Sequence, residues 1–105
     1  MGTIKDARLS KFKNELVAIY GNNLARVVLF GSRARGDNDV DSDYDVAVFL
    51  NNMPDRWTEI DRLAGLRLPY LEQNAVFFDV MPYRVEDYDK ETGVMHAIRT
   101  EGIPL

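Results

Sequence analysis

Apolar residues recur along this chain with two periods, and the change from one to the other marks out its elements. Leu9, Phe12, Leu16, Ile19 and Tyr20 fall at helical spacing, which predicts an amphipathic helix within the first 20 residues. Thr3 and Asp6 supply start signals for it and Gly21 a stop. The β-branched run ARVVLF at 25–30, ended by Gly31-Ser32, reads as a strand, and so does YDVAVFL at 44–50. After NNMPD, the positions Trp57, Ile60, Leu63, Ala64 and Leu71 predict a second amphipathic helix. Trp57, Ile60 and Ala64 are expected on its core side, and Pro69 is expected to kink or end it. AVFFDVMPY at 75–83 predicts a third strand carrying one charge, Asp79, among apolar neighbours, and a last helix is expected over about residues 88–101, before Gly102. The order helix, strand, strand, helix, strand, helix predicts an α/β fold, a small mixed β-sheet packed with helices and carrying its ligand at one end.

At 105 residues the chain is expected to form a single domain, 1–105, with no room for a separate substrate domain, so a bulky acceptor must be held partly by another molecule. Hydrophobic residues at 46% and charged residues at 29% argue against disorder. The absence of cysteine excludes a disulfide framework and a thiolate metal site. MGTIKDARLSKFKNELVAIY has no continuous apolar core for a signal peptide, and no segment approaches the ~18 apolar residues of a membrane span. A cytoplasmic protein with no membrane partner is therefore expected. A net charge of −4 opposes nucleic acid over the whole surface, so no direct nucleic-acid partner is expected without a local basic patch.

The chemistry concentrates in LFGSRARGDNDVDSDYDVAVFL, residues 29–50. Strand side chains alternate, so Asp43 and Asp45 project to one face at the start of the second strand. Two carboxylates so close repel each other and need a cation or raised pKa values. Oxygen ligands of this kind favour Mg²⁺, which completes its shell with water and substrate phosphates. Asp79 supplies a third carboxylate from another strand, and Phe77, Phe78, Val80 and Met81 around it make an unpaired charge there costly. Three such groups can hold two metal ions for in-line displacement at phosphorus, with Asp79 also placed to deprotonate an attacking hydroxyl. Gly31 permits a tight turn, a helix beginning near Ser32 would aim N–H groups at an anion, and Arg33 and Arg35 can donate to phosphate oxygens. Of these two, Arg33 is the better phosphate candidate, although either can instead pair with the nearby acids.

Competing motifs fail on detail. DNDVDSD alternates acids as an EF-hand does, but counting from Asp37 the glycine position is Ser42 and the closing glutamate position is Val48. Gly31 and Gly36 have the spacing of a Walker-type loop, yet Asp37 and Asn38 stand where it needs Lys and Ser or Thr. An exposed acidic hairpin loop is the plainest alternative, and it does not account for the third strand aspartate. Asp37, Asp39 and Asp41 read as solvated loop acids, and His96 as a surface or packing residue on the last helix. Phe77, Phe78, Tyr83 and Tyr88 suit either core or a partner surface.

GSRARG followed by DSDYDVAVF, a Gly-Ser pair, ten residues and then Asp-x-Asp, resembles the signature of the DNA polymerase beta-type nucleotidyltransferase superfamily. It is most similar to the minimal nucleotidyltransferase (MNT) branch, small proteins encoded beside a HEPN-domain partner in prokaryotic toxin-antitoxin modules. The resemblance covers nearly the whole chain. It implies that Gly31 and Ser32 bind nucleotide phosphates, that Asp43 and Asp45 bind magnesium, and that Asp79 is the third carboxylate, which some members lack. It further implies an antitoxin, a HEPN-domain toxin as partner, and transfer of AMP from ATP to a tyrosine of that toxin. No residue identifies adenine or the acceptor. Two other expectations stand beside it: a non-catalytic antitoxin that acts by binding, and a small-molecule nucleotidyltransferase of the antibiotic-modifying kind.

Overall fold

A computed structural model of the chain describes residues 6–36 and 43–105. Asp6 caps the first helix, α1 (Ala7–Tyr20), its carboxylate accepting from the amides of Arg8 at 3.0 Å and Leu9 at 3.3 Å. The expected start residue Thr3 lies outside the described residues. Leu9, Phe12 and Leu16 are buried as their spacing predicts, whereas Ile19 is exposed and Tyr20 only half-buried, its hydroxyl donating to Glu59 at 2.8 Å. A 3₁₀ turn at Gly21–Asn23 leads into β1 (Leu24–Phe30). The short helix α2 (Ser32–Arg35) follows directly. β2 (Tyr44–Leu50) is the second predicted strand, residue for residue.

The helix α3 (Arg56–Asn74) is capped by Asp55, which accepts from the Trp57 amide at 3.1 Å and the Thr58 hydroxyl at 2.7 Å. Pro69 neither ends it nor stops the burial of Tyr70 one position later. A proline costs one backbone hydrogen bond, and the packing of Leu63 and Tyr70 on either side of it outweighs that loss. Trp57, expected in the core, is 74% exposed. Six positions at ~100° each put it about 120° around the helix from Leu63, off the buried stripe. β3 (Phe78–Arg84) starts three residues later than the apolar run suggests, because Ala75 at φ +54° caps α3 and the connection uses the next two residues. The single last helix expected from sequence is two elements, a 3₁₀ turn at Val85–Asp89 and α4 (Gly93–Glu101). Thr92 starts the second by accepting the Met95 amide at 3.1 Å. Beyond it the two-residue strand β4 (Ile103–Pro104) was too short to be visible as a pattern.

The sheet order is β3-β2-β1-β4, with β2 and β3 parallel and the other neighbours antiparallel. α3 makes the parallel crossover between β2 and β3. Alternation then sorts the strands' side chains into two layers. Val27, Leu29, Tyr44, Val46, Val48, Leu50, Phe78 and Val80 pack under α1 and α3. Val28, Ala47 and Phe49 take the other face, under Met95 and Ile98 of α4 with Tyr83 and Tyr88 beside them. The mixed α/β sheet expected from sequence is therefore the observed one. Among the described residues, no helix is long and apolar enough to cross a membrane.

Candidate active site

Asp45 sits on the face of β2 that carries Ala47 and Phe49, opposite to the buried Tyr44 and Val46. In the parallel ladder its register partner is Asp79, and in the antiparallel ladder its partner is Phe30. Directly paired strand residues bring their Cβ atoms to ~5 Å on one face. Asp43, two positions before Asp45, belongs to the same face by alternation. The three aspartates singled out in sequence are thus adjacent at one end of one sheet face. The aromatic residues between them lock that orientation: Tyr44 and Phe78 are themselves register partners, 5.0 Å apart between ring centroids, and Phe78 stacks on Phe12 of α1 at 4.4 Å. Flipping either strand to turn an aspartate inward would expel these rings into water.

Asp79 is exposed, which corrects the expectation of a desolvated charge. Its apolar sequence neighbours Phe78 and Val80 point into the opposite layer, so they do not surround its carboxylate. Asp45 is the half-buried member. Burial first, then the negative charges of Asp79 and Asp43, push its pKa above the ordinary carboxylate value, with Arg35 pulling the other way.

The Gly31–Ser32 turn closes onto this group. Gly31 has φ +78°, in the left-handed region, and a Cβ there would lie 2.2 Å from Oδ2 of Asp45. The carboxylate occupies the space a side chain would need, so glycine is required by both backbone and contact. The amides of Ala34 and Arg35 return to the Gly31 carbonyl at 3.1 and 3.0 Å, which folds α2 back over the end of β1.

The two arginines of α2 diverge. Arg35 donates to Glu101 at 3.0 Å and bears electrostatically on Asp45, which puts it on the carboxylate side. The Arg33 guanidinium lies 4.1 Å over the ring of Tyr44, a residue of the opposite layer. Arg33, the phosphate candidate read from sequence, thus has an aromatic contact, and Arg35 lies near enough to Asp45 to act on it. Tyr44 itself escaped the sequence reading. Its hydroxyl donates to Asp6 and accepts from Arg8 at 3.2 Å. An aromatic between two aspartates, turned inward by strand alternation, was the available signal. His96 is exposed, in line with its expected surface role. Asp37, Asp39 and Asp41 lie outside the described residues.

The donor set fits a hard divalent cation. The negative charges of Asp79 and Asp43 add to the cost of ionising Asp45, and a cation between them would remove that repulsion. As placed, among the described residues, no three acidic or histidine side chains close into a metal cage. The strand register pairs Asp45 with Asp79, and Asp43 and Asp79 are both exposed. A groove of about 460 Å³ lies elsewhere, between β1, α4 and β4, where Arg26 stacks on Tyr88 at 3.7 Å.

A family model described as the nucleotidyltransferase domain matches residues 9–98. A candidate protein adenylyltransferase of Methanocaldococcus jannaschii is 46% identical over 46 residues, a stretch covering 44% of this chain and 46% of that relative, less than half its length. The fold is shared with a toxin-antitoxin crystallised with AMP-PNP, at TM-score 0.57 and 22% identity, over 90% of this chain and 69% of that one. A mutant MntA-HpeT toxin-antitoxin matches at TM-score 0.56 and 20% identity, over the same shares of 90% and 69%. A nucleotidyltransferase candidate from Sulfolobus solfataricus matches at TM-score 0.51 and 23% identity, over 92% of this chain and 76% of that one.

Proposed function

The chain belongs to the nucleotidyltransferase domain family, and from that premise we propose that it transfers AMP from ATP to a hydroxyl of a partner protein, neutralising that partner as an antitoxin. The observation that carries this reading is the pairing of Asp45 with Asp79 in register, with Gly31 closed against Asp45. Asp43, Asp45 and Asp79 would hold Mg²⁺, two ions in the fullest form of the site. When bound, the metal supplies charge neutralisation to the triphosphate and to the carboxylates.

The chain's own groups divide the remaining work. Gly31 lets the backbone approach the phosphates, Ser32 adds a hydroxyl, and Arg35 donates to the leaving pyrophosphate. The acceptor oxygen forms a bond to the α-phosphorus while the bond from that phosphorus to the oxygen bridging to the β-phosphate breaks. Asp79, the exposed carboxylate, takes the hydroxyl proton. Exposure of Asp43 and Asp79 supports an acceptor that arrives from outside on another molecule. The resemblance to the MNT branch, and the structural likeness to toxin-antitoxin proteins, favour a HEPN-domain toxin as that molecule and a tyrosine as the acceptor, in the cytoplasm.

Intact mass spectrometry of the co-expressed neighbouring-gene product, after incubation with this protein, ATP and Mg²⁺, tests the reading beside an Asp43→Asn control. A gain of one or more AMP units, absent with the control, is the expected result. A partner that binds while its mass stays constant with every nucleoside triphosphate would overturn transfer in favour of neutralisation by binding.

A further inference from the structure

We propose that Tyr44 is a positioning residue which, with Arg33, clamps the Gly31–Ser32 turn against the start of β2 and so sets the spacing between that turn and Asp43 and Asp45. The proposal rests on the reading of the site given above. Arg33 follows the turn, and Tyr44 stands between the two aspartates on the far side of the connection, so their stacking at 4.1 Å ties its two ends together.

The ring is a fixed anchor. It is 3% exposed and packs on Phe78, and its hydroxyl donates to Asp6 and accepts from Arg8 at 3.2 Å. Asp6 is itself held as the cap of α1. Tyr44 therefore joins the first helix, the Gly-Ser turn and the first metal-bearing strand at one point. The turn is gripped from both sides of the sheet: Asp45 fills the space beside Gly31 on one face, and Tyr44 supports Arg33 on the other. Because its side chain belongs to the α1–α3 layer, Tyr44 meets neither the nucleotide nor the carboxylates, and its contribution passes through Arg33 and the backbone.

Isothermal titration of each of the four ribonucleoside triphosphates with Mg²⁺ tests this on the full chain. Arg33→Gln and Tyr44→Leu should each weaken the preferred triphosphate about tenfold, the loss of one cation–π contact on a buried ring. The double variant should lose clearly less than the two single losses combined, since both remove the contact between Arg33 and the ring. Tyr44→Phe, which keeps the ring and its face to Arg33, should stay within about threefold of the parent, and the loss in Arg33→Gln, which leaves the core packing intact, is what a packing role alone would not produce. Additive losses in the double variant, parent-like binding by Arg33→Gln, or Tyr44→Phe as weak as Tyr44→Leu would each overturn the clamp. If Tyr44→Leu does not fold, Arg33→Gln and Tyr44→Phe still decide between these outcomes. Asp45→Asn separates the two levels: unchanged Mg²⁺-dependent binding there defeats the carboxylate reading and leaves the clamp standing. A parent protein that binds none of the four triphosphates defeats both.

Discussion

One face of the sheet is built in two halves from the same strands. At one end of β2 and β3, Asp45 and Asp79 stand side by side with Asp43 beyond them, exposed or half-buried. Four residues further along, Phe49 and Tyr83 are paired in the same register, and there Phe49 is fully buried under Met95 and Ile98 with Tyr88 edge-on at 5.5 Å. Identical backbone geometry thus serves opposite ends. Where α4 covers the face, apolar side chains close it and hold the sheet together. Where the face is open, like charges gather, and burial first, then Asp79 and Asp43, raise the pKa of Asp45. The difference leaves the proposed site in the half that packing does not close.

Substitutions that treat the two halves alike would break this comparison. Asp45→Asn should lower nucleotidyl transfer at least about 10³-fold, equivalent to ~4 kcal/mol at the transition state, while the metal-free protein melts no lower than the parent. Initial rates of AMP incorporation and a thermal melt check both parts. Phe49→Ala should do the reverse, costing about 3–5 kcal/mol in urea unfolding while the rate per folded molecule changes little. A Phe49 variant that stays stable but loses transfer would erase the division. Gly31→Ala lies between the two. Its Cβ meets Asp45 at 2.2 Å and its φ of +78° is strained for alanine, so we expect ~1–2 kcal/mol of destabilisation from the backbone alone. Displacement of the carboxylate should slow transfer about 10²-fold.

The smallest effect concerns pH. Asp45 has its pKa raised above 3.8 in the folded metal-free protein, by burial and then by Asp79 and Asp43. Between the unfolded and folded values the native state binds more protons than the unfolded one, so this group makes stability fall as pH rises through that window. Below the unfolded value its penalty vanishes. Chemical denaturation across acid pH should show that slope in the parent, less of it in Asp45→Asn, and less again when Mg²⁺ is present. A parent and variant with superimposable pH profiles would mean that Asp45 feels no such repulsion.

Much of this site was legible in the chain because strand alternation is a local rule. Asp43 and Asp45 had to share a face once YDVAVFL was a strand, and Gly31 had to mark a turn where no side chain fits. The errors arose where sequence neighbours were taken for spatial ones. Asp79 looked desolvated because Phe78 and Val80 flank it, yet both belong to the other layer. Trp57 looked like core because it is apolar and near the helical period, yet the phase set by Leu63 and Tyr70 turns it outward.

The sequence by itself determined the order of the three long strands and the two long helices, the α/β class and which residue types could carry phosphate and metal chemistry, because those follow from periodicity and from functional groups within a few residues of one another. Only the tertiary structure decided that Asp45 pairs with Asp79, that Arg35 lies near enough to act on Asp45, and that one half of the face lies open while α4 closes the other. Those outcomes depend on inter-strand register and on which layer covers which face. Both are settled by burying side chains from distant parts of the chain against one another, an energy that no short stretch contains.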